Sequence, residues 1–96
     1  MARYRVVGWK EIPSLVESAD GERTVRVLLS QRFQDLIDAV AMREGASGPE
    51  AYLEGWSQGP EGERSGSPES VAAQVAVELE AGFEEVMAKR FLPPVG

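Results

Sequence analysis

The chain has 96 residues, 43% hydrophobic and 27% charged, and its 10 basic and 16 acidic side chains leave a net charge of −6. That length allows a single domain around one modest core, and that balance excludes a disordered chain. Cysteine is absent, which excludes disulfides and makes a reducing cytoplasm the expected compartment.

The charge is unevenly spread: residues 1–29 sum to +1, residues 30–58 to −3 and residues 59–96 to −4. An acidic chain without a basic, aromatic-interleaved stripe repels phosphate backbones, so nucleic acid is not expected as a partner. Met1 to Pro13 lacks the long apolar run and small-residue cleavage site of a signal peptide. No window approaches the roughly 18 apolar residues of a membrane span, so a soluble protein is expected. Arginine exceeds lysine eight to two, glutamate exceeds aspartate 13 to three, and asparagine is missing. A heat-adapted host favours that bias, and a GC-rich genome produces it equally.

In chain order, Arg3-Tyr4-Arg5-Val6-Val7-Gly8-Trp9 reads as a strand, being β-branched and aromatic, with Pro13 punctuating its end. Ser14 to Ala19 and Glu22 to Leu29 are two further strand-like runs around Asp20-Gly21, a pair suited to a two-residue hairpin turn with positive φ at both central positions. Such a turn opposes Val16 to Val25, Ser14 to Val27 and Glu17 to Thr24. Next, Phe33, Leu36, Ile37, Val40 and Ala41 recur at helical spacing behind Ser30 as cap, and Gly45 supplies the residue after the helix. Ser47-Gly48-Pro49-Glu50 has the spacing of a capping box, opening a short helix that presents Tyr52, Leu53 and Trp56.

Residues 58–66 have no periodicity and read as a flexible linker. Ser67-Pro68-Glu69 opens a last helix over residues 67–92, with Val71, Val75, Leu79, Phe83, Val86 and Met87 in one stripe. A helix of about 24 residues spans roughly 36 Å, so it either crosses the sheet or projects to meet a partner. The expected architecture is a single α+β domain over residues 1–96. It has a small antiparallel sheet of about three strands within 3–29, helices within 30–57, and a long carboxy-terminal helix.

Histidine is absent as well as cysteine. That removes imidazole or thiolate zinc sites, thiolate nucleophiles and the usual base of serine hydrolases. Carboxylates remain. Glu78, Glu80, Glu84 and Glu85 on an amphipathic helix read as its solvated face, and Asp35 with Asp38 lacks calcium-loop spacing. Gly59-Pro60-Glu61-Gly62 lacks the lysine-serine context of a phosphate cradle. No catalytic residue, metal ligand or cofactor is expected. Trp9, Tyr52 and Trp56 read either as core fillers or as anchors of a contact surface, with Trp9 the better surface candidate because it ends a strand.

Trp9-Lys10-Glu11-Ile12-Pro13 is similar to the Trp-x-(Asp/Glu)-Ile-Pro opening of the small bacterial virulence factor domain. Arg32-Phe33, Ile37-Asp38, Ala41-Met42, Gly45, Ala51-Tyr52-Leu53 and Trp56 resemble that family's second block, so the likeness runs over residues 4–56. In longer proteins a similar domain stands beside a NifU-like domain and HEAT-type repeats. The resemblance therefore implies an accessory or interaction module, and it implies no catalytic residue.

The functional expectation is a non-enzymatic protein-interaction or adaptor domain, self-associating through its carboxy-terminal helix or binding another protein. Its contact residues are expected to be Trp9, Arg32, Tyr52, Trp56, Leu79 and Phe83. The alternative is an accessory small-molecule binder serving cofactor metabolism, with a pocket between sheet and helices lined by Trp9 and Trp56 and with Arg32 at its mouth.

Overall fold

A computed structural model describes residues 1–45 and 48–90. The elements run β1 (Ala2–Trp9), β2 (Ile12–Ala19), β3 (Thr24–Leu28), α1 (Gln31–Arg43), α2 (Pro49–Glu54), β4 (Trp56–Gln58), β5 (Gly62–Arg64), α3 (Pro68–Ala81) and α4 (Phe83–Arg90). The fold is α+β, as the order of strand-like and helix-like runs requires. Its sheet is antiparallel in the order β3-β2-β1-β4, with β5 pairing the same β1 edge further along.

Helices cover one face of this sheet. Tyr4, Val6, Val25 and Val27 pack against the buried cluster, and Val16 lies within it. Thr24, Arg26 and Leu28 alternate with them and are exposed, as the two-residue period of a strand demands. The centre of the core is Trp9, Ile12, Val16, Phe33, Ile37, Val40 and Val71, all fully buried. The anticipated helical stripes of α1 and α3–α4 supply its second layer.

Three expectations need correction. First, the sheet has five strands, because residues 58–66 are not a free linker: β4 pairs Trp9 with Trp56 and Val7 with Gln58, and β5 pairs Ala2 with Arg64. Strands of three residues, mostly polar, carry no periodicity to detect. What forms them is the open edge of β1, whose donors and acceptors need partners. Gly62 is required there, since a Cβ would meet the Tyr4 ring at 2.7 Å.

Second, the hairpin turn sits one residue further along, so Val16 opposes Val27 and Glu17 opposes Arg26. Asp20 Oδ1 accepts from the N–H groups of Glu22 at 2.8 Å and Arg23 at 3.0 Å. Gly21 is not among the glycines with positive φ; the Asp20 side chain organises the turn instead. Each partner moves by two residues, a whole side-chain period, so Val16 and Val25 still share one face and Glu17 and Thr24 the other.

Third, the carboxy-terminal helix is two helices. The Gly82 N–H is shared between the carbonyls of Glu78 at 3.2 Å and Leu79 at 3.1 Å, and α4 restarts at Phe83. The break turns Phe83 edge-on against Phe33, with ring centroids 4.9 Å apart. Residues 91 and 92 of the expected helix lie outside the described residues.

At the starts of helices, Ser67 caps α3 by accepting the Ser70 N–H at 3.2 Å ahead of Pro68. Ser30 occupies the cap position of α1 but makes no side-chain cap bond. Gly48 caps α2, and the expected Ser47 lies outside the described residues. Gly45 follows α1 with φ +74°, as expected of a glycine after a helix.

Candidate functional site

The three aromatics meet at the end of β1. Trp9 is fully buried, which corrects its placement as a surface anchor. It ends β1 where β2, β4 and α2 converge. Its Nε1–H donates to the Tyr52 carbonyl at 2.7 Å, so the indole buries its area with its donor satisfied. Tyr52 stacks on Trp9 at 6.0 Å and meets Trp56 edge-on at 5.9 Å. Gly55 closes against the indole, where a Cβ would collide with Nε1. Together these contacts fasten α2 and β4 to the sheet. Tyr52 and Trp56 stay half-buried, and among the described residues neither tryptophan lines the groove between α1 and α4 or the groove at the tip of the β1–β2 hairpin, in contrast to the pocket expected between sheet and helices.

Arg32 stands elsewhere. Its Nη2 donates to the Glu80 carbonyl at 2.7 Å and to Glu80 Oε1 at 3.1 Å, and its guanidinium lies 4.4 Å from the centre of the Phe83 ring. This is cation–π geometry. Arg32 and Asp38, six residues apart and so not at the i+3 or i+4 spacing of a helical pair, have separate partners, Asp38 accepting from Gln34 at 2.9 Å.

Arg32 and Phe83 therefore share one place, a groove of about 310 Å³ between α1 and α4. Arg32, Asp35, Leu36 and Ala39 form one stripe of α1, at three- and four-residue spacing, and Phe83 with Met87 face it from α4. The floor is aliphatic and aromatic, and the rim carries one cation and one anion. Sequence reasoning found Arg32 and Phe83 as contact residues; it read Leu36 and Met87 only as parts of buried stripes, and it missed Asp35 and Ala39 as lining residues, the latter because a small side chain midway along a helix carries no signal.

Leu79 contributes to a second groove of about 290 Å³ at the tip of the β1–β2 hairpin, with Val6, Ile12, Pro13 and Val86 and with Lys10 at its edge. Lys10 has φ 54°, a left-handed conformation uncommon for a lysine. Its N–H donates to the Gly55 carbonyl at 2.6 Å, and its ammonium reaches Glu44 at 2.7 Å.

The acids of α3 are engaged rather than clustered. Hydrogen bonds from Ser30, then from Arg32, hold the Glu80 carboxyl below its ordinary value of 4.5. The Arg64 guanidinium does the same to Glu78 through two bonds of 2.6 and 2.7 Å, and Glu78 with Tyr4 raises Arg64 in turn. Among the described residues, no three of His, Cys, Asp and Glu converge as a metal would require. No described helix is long and apolar enough to cross a membrane.

Fold and groove together define a small α+β domain whose helices cover one sheet face and leave an apolar cleft between them. The chain belongs to the virulence factor family, which matches residues 7–91. That span takes in α3 and α4, beyond the residues 4–56 on which the resemblance rested. No curated protein matches the chain. No solved structure matches it either.

Proposed function

We propose that this virulence factor domain is a non-enzymatic protein-interaction module that works by shape and contact, with the α1–α4 groove as its contact surface. The observation that carries this reading is the groove itself: an apolar floor of Leu36, Ala39, Phe83 and Met87 under a rim of Arg32 and Asp35. Apolar centres with polar rims are the usual anatomy of protein contacts. Two acids of α3, Glu80 and Glu78, are tied to Ser30, Arg32 and Arg64, whose hydrogen bonds lower their carboxyl pKa, which favours structural work for these two over acid catalysis.

The simplest partner is a second copy of the chain. A two-fold contact must be self-complementary. A rim with one cation and one anion three residues apart lets Arg32 of each copy meet Asp35 of the other. Light scattering after size exclusion tests this with the whole chain. The expected result is twice the 10.4 kDa monomer mass, reverting to monomer in Ala39→Glu, which fills the groove without touching the core. A monomer at every concentration overturns self-association, and a dimer that survives Ala39→Glu overturns the groove as its interface.

A further inference from the structure

Strand β3 (Thr24–Leu28) is the outer strand of the sheet and, among the described residues, pairs only with β2. Antiparallel ladders alternate bonded and non-bonded pairs, so the phase of the β2–β3 ladder decides which backbone groups face outward. Two bonds fix that phase: Leu29 N–H to the Ser14 carbonyl at 3.0 Å, and Asp20 N–H to the Arg23 carbonyl at 3.1 Å. In the same register the bonded pairs between them are Val16–Val27 and Ser18–Val25. The N–H and C=O groups of Thr24, Arg26 and Leu28 therefore point away from the sheet, with no partner among the described residues.

The side chains of these three residues all lie on the sheet face that the helices leave open. Leu28 is 76% exposed and continues a row of apolar residues across the strands, opposite Leu15, which is itself opposite Val7. Arg26 gives its Nε–H to Glu17 at 2.9 Å while its side chain stays 70% exposed. A guanidinium has five N–H donors, so four remain for a carboxylate arriving from the outer side.

We propose that β3 accepts an extended segment of another protein as a sixth, antiparallel strand, with an aliphatic side chain opposite Leu28 and a carboxylate opposite Arg26. The open backbone groups specify a strand, since an exposed sheet edge recruits an extended peptide through main-chain hydrogen bonds. The charge specifies which strand. A cation on an edge strand blocks indiscriminate pairing, and two β3 strands paired about their centres would set Arg26 against Arg26. Only a segment that brings an acid to that position turns the guard into an attraction. The protein contains the required pattern on the inner side of β3, where Leu15 opposes Leu28, Glu17 opposes Arg26 and Ala19 opposes Thr24.

The probe is therefore the blocked peptide Ser-Leu-Val-Glu-Ser-Ala-Asp, copied from residues 14–20, titrated to millimolar concentration into the whole chain and followed by amide NMR. The expected shifts centre on Thr24, Arg26 and Leu28, whose amides also gain protection from hydrogen exchange. The same peptide carrying Glu17→Lys is expected to bind roughly fivefold more weakly, the difference between an attractive and a repulsive cross-strand pair. In the Arg26→Glu protein that preference inverts. The proposal is overturned by an absence of shifts, by shifts centred on the α1–α4 groove, or by equal binding of both peptides to the unaltered protein. Because the last comparison needs no variant, it decides the matter even if Arg26→Glu folds poorly.

Discussion

Glu80, near the end of α3, caps the start of α1 from fifty residues away: its Oε2 accepts the Ser30 backbone N–H at 2.6 Å and its Oε1 accepts the Ser30 hydroxyl at 2.8 Å. In a capping box the acid that reaches back to the cap N–H comes from the third residue of the same helix. In α1 that residue is Phe33, which cannot accept a hydrogen bond and is committed to the core. Glu80 takes the role from another helix, and Arg32 adds a cation to the same carboxylate.

Acid is expected to weaken the protein through this contact. Glu80 and Glu78 have folded pKa values below their ordinary 4.5. A depressed carboxyl contributes stability above its unfolded pKa, and that contribution disappears as pH falls through the folded value. Denaturant midpoints should therefore hold steady above pH 4.5 and decline below it, with Glu80→Gln showing a shallower decline and a lower plateau. An unchanged profile in Glu80→Gln would show the cap to be energetically idle.

The two tryptophans should separate by quenching. Trp56→Phe leaves only buried Trp9, and Trp9→Phe leaves only half-buried Trp56; acrylamide should quench the second protein more strongly. Trp9→Phe also removes the donor to the Tyr52 carbonyl, at an expected cost of roughly 1–3 kcal/mol in chemical denaturation. Equal quenching of the two proteins would contradict the burial of Trp9.

Gly55→Ala should destabilise by about 1–3 kcal/mol, the usual cost of forcing a methyl group into a packed core. The new Cβ would collide with the Trp9 indole and push α2 and β4 from the sheet. Thermal melts check this, with Gly21→Ala as control, since a Cβ there meets nothing within 4 Å and its φ is not positive.

Ser18 offers the opposite sign. Its side chain is 1% exposed and its hydroxyl has no hydrogen-bond partner among the described residues, so burial costs what no bond returns. Ser18→Ala should raise stability by roughly 1 kcal/mol; a loss on denaturant titration would reveal a bond to bound water.

Much of this architecture is local in origin and was legible as such. The apolar spacing from Phe33 to Ala41, the Ser67-Pro68 start of α3, the Gly45 stop and the alternation along β3 are each set by neighbours within one or two turns of chain. The stripe from Val71 to Met87 identified the buried side of the last helices although not the break at Gly82. Two of the groove's six lining residues were legible in the same way, because Arg32 and Phe83 stand out in polarity and size, whereas Ala39 does not.

The amino-acid order by itself determined the α+β class, the faces that are buried, and the absence of imidazole and thiol chemistry, since periodicity and residue type act at short range. Only the tertiary structure decided that β4 and β5 complete the sheet, that Glu80 caps a distant helix, that Trp9 belongs to the core, and which backbone groups of β3 stay open. These depend on which edges and ends remain unsatisfied once the chain has folded, and a backbone donor seeks whatever acceptor the fold brings near, regardless of its distance along the chain.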